Sequence, residues 1–364
     1  MRTSVLTICL LFQFSAAAAE IIWPSRAKPT PARLHVNQGP PPRDMGSYGK
    51  CRLYGYAGND GRPAYLAVTK HFKNRDALQA VNVPMKSGSF RISLSTNNAS
   101  ILSFHRAVVE KPVGHAIYLT GIVGLTPPEK KLVDTFNQWG WHVIVSHTSH
   151  HFMKPRMLVH DEKTIETEAR KLAHDANNHL ADKAYAIEAM VLYLKKHHPQ
   201  LLKGKRIIAG GSAGALALPV TAARLGRFDA AVLIGGGGNI GTILTESSLN
   251  PLSLYEVHQE RSQKIWRRAE PEVRQKVAKL IHRDIPLDPA RLAGRLGRTP
   301  VLMMQAEMDQ MVPVSTGNLL AKKFANMERW GYPVNHIVLF GALHFQASTV
   351  AQWVHAKVFP QPEK

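Results

Sequence analysis

The residues Gly210, Gly211, Ser212, Ala213 and Gly214 place one serine among small side chains. They fit the pattern G-x-S-x-G, a sharp turn from a strand into a helix that holds a serine hydroxyl above the end of a sheet. The apolar run 206–209 before the motif and the helix-forming run 216–225 after it supply that strand and that helix. Small residues are needed because the strand and the helix approach each other closely. We therefore predict that Ser212 is a nucleophile on a strained turn.

A nucleophilic serine needs a base that accepts its proton and an acid that orients the base. After a turn of this kind, the two groups are expected at the carboxyl ends of later strands, in the order serine, acid, histidine. Asp309 follows the apolar run 300–304, and His344 follows the apolar run 336–340. We therefore predict a catalytic triad of Ser212, Asp309 and His344.

The elements that must position these residues alternate between strand and helix. Short β-like runs between residues 49 and 102 predict antiparallel strands at the leading edge of a sheet. Later strands are predicted at 115–120, 141–146, 206–208, 230–234, 300–304 and 336–340, with helices at 127–139, at 163–196 and from 346 onward. This alternation predicts an α/β fold in which a mostly parallel sheet is flanked by helices. Ligands of such sheets bind outside the carboxyl ends of the strands.

The alternation is interrupted between the strand that follows the elbow helix and the strand that carries the acid. Residues from about 245 to 298 predict a helical insertion that includes the amphipathic run 270–281. Two interpretations stay open: a lid over the site, or a solvated structural insertion.

At this point the chain resembles the α/β-hydrolase superfamily over residues 102–358. The elbow matches the family pattern in full, and the segment 306–313 resembles the family's G-x-x-D-x-x-V-P with Ala306 in place of the first glycine. Residues 119–124 resemble the H-G-x-x-G oxyanion turn with Thr120 in place of the histidine. The resemblance implies Ser212 as nucleophile, His344 as general base and Asp309 as orienting acid. It also implies an oxyanion hole formed by the backbone N–H groups of Ala213 and Ile122, with Gly121 as the neighbouring candidate.

Two further patterns suggest other functions. Residues 236–241 fit the dinucleotide-binding pattern G-x-G-x-x-G after a strand, but the acidic residue expected about twenty positions later is missing. A group of histidines follows the strand at 141–146, and its spacing matches no metal motif; its members are His147, His150, His151 and His160. We therefore expect no nucleotide cofactor and no metal.

Composition and charge bound the location and the partners. The chain has 364 residues, 46 Lys and Arg against 26 Asp and Glu, and a formal net charge of +20. This charge favours nonspecific contact with anionic surfaces, and no motif for specific nucleic-acid binding is present.

Residues 1–19 have the features of a signal peptide, so cleavage after Ala19 and export are predicted. Residues 20–48 form a proline-rich extended arm, and residues 49–364 form the α/β-hydrolase domain. The single cysteine after the signal peptide, Cys51, leaves no internal disulfide.

These observations predict an exported serine hydrolase that forms an acyl-enzyme, acts on small-molecule or lipid carboxylic esters and needs no cofactor. A histidine base must be neutral, so activity should fall as the pH drops through about 6–7. Two alternatives stay open: a peptidase or amidase of the same fold, and a non-catalytic basic protein that binds anionic polymers. The oligomeric state is left open.

Overall fold

The structure, a computed structural model, describes residues 21, 23, 52–57, 63–68, 70–71, 75–76, 87–93, 99–147, 162–249, 255–260 and 263–360. Side chains are described at positions 21 and 23 and in 102–147, 164–249 and 269–360. The predicted signal peptide, most of the arm at 20–48, Cys51 and the histidines at 150, 151 and 160 lie outside these residues. Export and cleavage after Ala19 therefore stay predictions.

The described residues contain fourteen strands, and ten of them form one sheet. The strands are β1 (Arg52–Ala57), β2 (Pro63–Val68), β3 (Lys70–His71), β4 (Arg75–Asp76), β5 (Ser87–Ser93), β6 (Ala99–His105), β7 (Gly114–Leu119), β8 (Trp141–His147), β9 (Lys205–Gly211), β10 (Ala230–Ile234), β11 (Tyr255–Glu260), β12 (Gln263–Arg268), β13 (Val301–Ala306) and β14 (Met327–Tyr332). The order in the sheet is β1-β2-β5-β6-β8-β7-β9-β10-β13-β14. The six strands from β8 to β14 are parallel, and β1, β2, β5 and β6 are antiparallel. The predicted α/β fold and its antiparallel leading edge are confirmed.

Helices cover both faces of this sheet. They are α1 (Pro127–Gln138), α2 (Glu162–His197), α3 (Ala213–Leu225), α4 (Ile240–Glu246), α5 (Pro271–Asp284), α6 (Pro289–Leu292), α7 (Val314–Ala321) and α8 (His336–Val358). Successive strand residues point to opposite faces. In β7, Ile117 and Leu119 therefore join the core under α2 and α3, whereas Ala116 and Tyr118 join the core under α1 and α8. Apart from the edge strand β14, the parallel strands are mostly buried on both faces, as their continuous apolar runs predict.

The prediction of a last strand at 336–340 is wrong. The run His-Ile-Val-Leu-Phe resembles a strand in composition, but it forms the first turns of α8, ten residues before the predicted start of the C-terminal helix. The Asn335 side chain caps this helix by accepting a hydrogen bond from the Val338 N–H at 3.0 Å. Leu339, Leu343 and Ala347 recur at helical spacing and are buried in the core with α1. The last strand is β14, in which every residue is at least partly exposed, as is typical of a strand at the edge of a sheet.

The insertion between β10 and β13 is not helical throughout. It contains α4, α5 and α6, and it also contains the two-stranded hairpin β11–β12. The amphipathic run 270–281 predicted a helical insertion, and the hairpin was missed because short polar strands give a weak alternation signal.

The beginning of the proline-rich arm contacts the domain. The Trp23 ring lies 5.8 Å from the Tyr185 ring, and the Arg224 guanidinium lies 4.8 Å from the centroid of Trp23. Ile21 also packs against the core. At these two positions the arm is therefore part of the packed structure and not a free linker.

Within the part of the chain that the structure describes, one helix, α8, is long and apolar enough to cross a bilayer by length and composition. Its most apolar window has a mean hydropathy of 1.3. Because one side of α8 packs into the core with α1, the helix has the features of a core helix.

Candidate active site

The motif around Ser212 forms a strained turn between β9 and α3. Ser212 adopts φ 51° and ψ −121°, a left-handed conformation that is uncommon for a residue with a side chain. Its N–H donates to the Ile234 carbonyl at 2.8 Å, which fixes the turn against β10. A Cβ at Gly214 would lie 1.9 Å from the Leu119 carbonyl oxygen, and one at Gly210 would lie 2.7 Å from the Gly214 backbone. The glycines therefore permit the close approach that the sequence predicted.

Asp309 lies in the loop directly after β13. Its Oδ1 accepts hydrogen bonds from the backbone N–H groups of Met311 and Val312, at 2.9 and 2.8 Å. These two bonds orient the carboxylate and stabilise its charge in a site where Asp309 is only 5% exposed. The other oxygen, Oδ2, is directed at a histidine ring.

That histidine is His336, the first residue of α8. Its Nδ1 lies 2.6 Å from Asp309 Oδ2, and its Nε2 lies 3.0 Å from Ser212 Oγ. A carboxylate oxygen only accepts hydrogen bonds, so we assign the ring proton to Nδ1, which donates to Asp309. Nε2 is then an acceptor for the Ser212 hydroxyl. The ring is buried, and the Phe340 ring lies 5.0 Å away on the next turn of the helix.

The prediction that His344 contacts Ser212 and Asp309 is wrong. His344 lies two helical turns beyond His336, is exposed to solvent, and stacks edge-on against Phe345 at 5.4 Å. The error follows from the strand assigned to 336–340, which placed its carboxyl end next to His344. The sequence did hold a signal for the correct residue, because Asn335 is a helix N-cap and places His336 at the start of a helix.

The turn after β7 lies directly over the nucleophile. A Cβ at Gly121 would lie 3.3 Å from Ser212 Cβ and 3.9 Å from its Oγ. The Gly121 N–H donates to Glu129 Oε1 at 3.4 Å, so this donor is directed at a carboxylate. The N–H groups of Ile122 and Ala213 make no hydrogen bond to another described residue. Of the three predicted oxyanion donors, Ile122 and Ala213 are therefore the two whose N–H groups have no acceptor among the described residues.

Thr120 stands where the family pattern has a histidine. Its N–H donates to the Ser146 carbonyl at 3.1 Å, and its hydroxyl donates to the same carbonyl at 3.2 Å. Thr120 therefore holds the turn against the end of β8, and its side chain is fully buried.

The glycine-rich loop after β10 packs closely against its neighbours. Added Cβ atoms at Gly237 and Gly238 would lie 2.3 Å from Thr316 Oγ1 and 2.6 Å from the Ala290 Cβ. The Asp288 carboxylate accepts hydrogen bonds from the Asn239 and Ile240 N–H groups, at 3.1 and 2.7 Å. The amides at the start of α4, which a pyrophosphate would need in a dinucleotide site, therefore already bind a carboxylate.

The only member of the predicted histidine group with a described position is His147. Its Nε2 lies 3.0 Å from Ser103 Oγ, and burial lowers the pKa of His147 to about 4. Within the described ranges, no group of three or more His, Cys, Asp or Glu residues could hold a metal ion.

The strand order, the sharp strand-to-helix turn at Ser212 after β9, and the positions of Asp309 after β13 and of His336 at the start of α8 define an α/β-hydrolase fold. Several solved structures of this fold are similar to the chain. Est1E from Butyrivibrio proteoclasticus is 14% identical with a TM-score of 0.44, over 72% of this chain and 96% of that chain. The esterase domain of a Rhodothermus marinus protein is 10% identical with a TM-score of 0.40, over 85% and 98%.

A peptidase is among the similar structures as well. The Pyrococcus horikoshii acylaminoacyl peptidase is 10% identical with a TM-score of 0.47, over 87% of this chain and 50% of that chain. No protein-family model and no curated protein sequence matches this chain. At these identities and TM-scores the likeness carries no argument about activity, which is argued from the site.

Proposed function

We propose that this protein is a serine hydrolase that cleaves carboxylic esters through an acyl-enzyme. The observation that supports this proposal is the chain of hydrogen bonds from Ser212 Oγ through His336 to Asp309, at 3.0 and 2.6 Å. The serine on a left-handed turn and the two N–H groups of Ile122 and Ala213 beside it complete the groups that acyl transfer requires.

In the first half of the reaction, Ser212 Oγ attacks the ester carbonyl carbon while His336 Nε2 accepts the hydroxyl proton. The N–H groups of Ile122 and Ala213 donate to the oxygen that becomes negatively charged. Asp309 stabilises the resulting imidazolium through Nδ1–H. The intermediate collapses when the C–O bond to the alcohol breaks, and His336 Nε2 gives its proton to the departing oxygen.

In the second half, a water molecule takes the place of the alcohol. His336 Nε2 accepts a proton from this water as its oxygen attacks the acyl carbon. The second tetrahedral intermediate collapses with cleavage of the bond to Ser212 Oγ, which recovers the proton from Nε2. The carboxylic acid leaves, and the enzyme returns to its starting state.

The surface beside the site supports an apolar substrate. Three large apolar side chains adjoin site residues in the chain and are exposed: Val123 at 69%, Met308 at 64% and Ile337 at 70%. Exposed apolar groups around a site favour binding of apolar parts of a ligand. We therefore propose esters with apolar acyl groups, including lipid esters, and nonspecific attraction of the basic chain to anionic surfaces.

The leaving group is not determined by the triad, because the same groups cleave esters and amides. A peptidase or amidase is therefore the alternative activity. A non-catalytic binding protein is the alternative without turnover, and the hydrogen-bonded Ser212, His336 and Asp309 argue against it.

The proposal is tested with p-nitrophenyl esters of increasing acyl length and with aminoacyl p-nitroanilides, using the mature protein and Ser212→Ala. We expect ester turnover that the substitution lowers by about 10⁴-fold or more, because the nucleophile is lost. Labelling of Ser212 by a fluorophosphonate, located by peptide mass analysis, provides an independent readout.

Each result has a defined meaning. Cleavage of the anilides would change the assigned activity to a peptidase or amidase. Absence of turnover and of labelling, in a folded protein, would contradict the proposal and favour a binding protein.

A further inference from the structure

A lysine is buried next to the oxyanion turn, on the face of the sheet that α2 covers. Lys183 is 2% exposed, and its Nζ donates a hydrogen bond to the Thr120 carbonyl oxygen at 2.9 Å. Placing an ammonium group in the core is costly unless it is paired and hydrogen-bonded. Lys183 is therefore a charge whose position needs an explanation.

A carboxylate is buried on the opposite face of the sheet, at the start of α1. Glu129 is 1% exposed, and its Oε1 accepts hydrogen bonds from the Tyr118 hydroxyl at 3.1 Å and from the Gly121 N–H at 3.4 Å. Its Oε2 accepts from the N–H and the hydroxyl of Thr126, at 2.9 and 2.7 Å. The bond from the Thr126 N–H is one half of a capping box, which ties the Glu129 side chain to the N-cap of α1.

The two charges bind the two ends of one peptide group. The Thr120 carbonyl and the Gly121 N–H belong to the same planar amide, so Lys183 holds its oxygen and Glu129 holds its nitrogen. This amide comes directly before the one that carries the Ile122 N–H. Its orientation, together with φ and ψ of Gly121, sets where the Ile122 donor points.

We propose that Lys183 and Glu129 are positioning residues that clamp the Thr120–Gly121 peptide and thereby orient the Ile122 N–H for the oxyanion. This inference rests on the proposed function. Neither residue needs to touch the substrate. Loss of either one leaves the nucleophile and the base in place, so the expected defect lies in transition-state binding.

The charges also balance each other near the reacting atoms. Glu129 Oε1 lies close to the nucleophilic turn, 2.8 Å from the position of a Cβ added at Gly211, the residue before Ser212. A carboxylate there repels the negative charge that develops on the oxyanion. The ammonium of Lys183 offsets that charge. Burial lowers the pKa of Lys183 to about 7, and Glu129 acts in the opposite direction. The nearby His179 and His147 have pKa values of about 3 and 4 because of burial, so both are neutral when Lys183 titrates.

The test uses Lys183→Met, which keeps the length of the side chain and removes its donor and charge. On a short p-nitrophenyl ester we expect kcat to fall about 10- to 100-fold with KM within about twofold, because the oxyanion donor is misplaced only slightly. The wild-type protein should also lose activity as the pH rises above about 7, and this alkaline limb should be absent from Lys183→Met.

Asn177→Ala is the matched control. Asn177 is another buried polar residue of α2, and its Oδ1 accepts from the Leu287 N–H at 3.1 Å, away from the turn. This variant should lower the melting temperature and leave kcat and the pH profile unchanged. If Lys183→Met and Asn177→Ala reduce kcat alike, or if folded Lys183→Met keeps wild-type kcat and the alkaline limb, the clamp is disproved.

Glu129 provides a second pair of variants in case Lys183→Met does not fold. Glu129→Gln keeps an acceptor for the Gly121 N–H and should retain kcat within a few fold, whereas Glu129→Leu should lose it by at least tenfold. Equal kcat in the two variants would overturn the proposal. A failure of the proposed function is recognised separately, because the wild-type protein would then show no turnover that depends on Ser212.

Discussion

The position of His336 depends on three local interactions that act on a single ring. Asp309 Oδ2 accepts a hydrogen bond from Nδ1–H at 2.6 Å, the Asn335 cap fixes the start of the helix, and the Phe340 ring packs 5.0 Å away. A buried imidazole held in this way keeps one tautomer, so Nε2 remains directed at Ser212. In the proposed mechanism the base is therefore His336, although His344 lies only two turns away.

The roles of His336 and His344, both on α8, can be separated by experiment. His336→Ala should lower kcat for a p-nitrophenyl ester by about 10⁴-fold, because the base that activates Ser212 is lost. His344→Ala, which removes an exposed ring, should change kcat by less than about twofold. Steady-state kinetics on both variants checks this, and a larger loss in His344→Ala than in His336→Ala would contradict the assignment.

At the scale of elements, the site depends on how closely α3 approaches β7. Strands β7 and β9 are neighbours in the sheet, and α3 crosses over the end of β7 at Gly214. Because the nearest atoms are backbone atoms, an added methyl group there cannot be accommodated by a side-chain rotation. The helix that carries the Ala213 N–H would have to move away from the sheet.

Gly214→Ala should therefore destabilise the fold by about 3 kcal/mol or more, as expected for overpacking against a rigid backbone. Gly341→Ala is the control, since Gly341 lies on the exposed side of α8 with no atom within 4 Å of an added Cβ. That variant should stabilise the protein by about 0.5–1 kcal/mol through helix propensity. Denaturant unfolding measures both, and a neutral Gly214→Ala would show that the contact is not tight.

At the scale of the whole molecule, buried histidines link stability to pH. Burial is the main cause that lowers the pKa of His115, His142 and His147 to about 4 and that of His179 to about 3. The unfolded chain, in which a histidine titrates near 6.5, binds more protons than the folded chain between these values. Stability should therefore be full above about pH 6.5 and be lost as the pH falls toward 4.

Replacing one of these histidines should reduce that dependence. His115 is 2% exposed, and its share of the loss between pH 7 and pH 4 is about 2–3 kcal/mol. His115→Leu should therefore show a smaller decrease in unfolding free energy over this range than the wild-type protein. The exposed His344→Asn serves as the control and should keep the wild-type slope. An unchanged slope in His115→Leu would exclude His115 as a contributor.

The sequence alone determined the features that depend on local backbone demands. A serine among glycines between a strand and a helix identifies Ser212, because only small residues allow that turn. Asp309 was found because its loop follows a strongly apolar strand, and the alternation of strands and helices was sufficient for the α/β fold. Each of these signals is made by residues that are close to one another in the chain.

The tertiary structure decided what depends on contacts between distant segments. The run at 336–340 has the composition of a strand, yet it becomes a helix because α1 offers a core face at helical spacing, and this moves the histidine of the site from position 344 to 336. Similarly, the contact of Lys183 with Thr120 joins residues that are 63 positions apart. The Lys183 contact has no local signature, and the helix at 336 has only the Asn335 cap as one, because the stabilising partners are supplied only when the sheet and its helices have assembled.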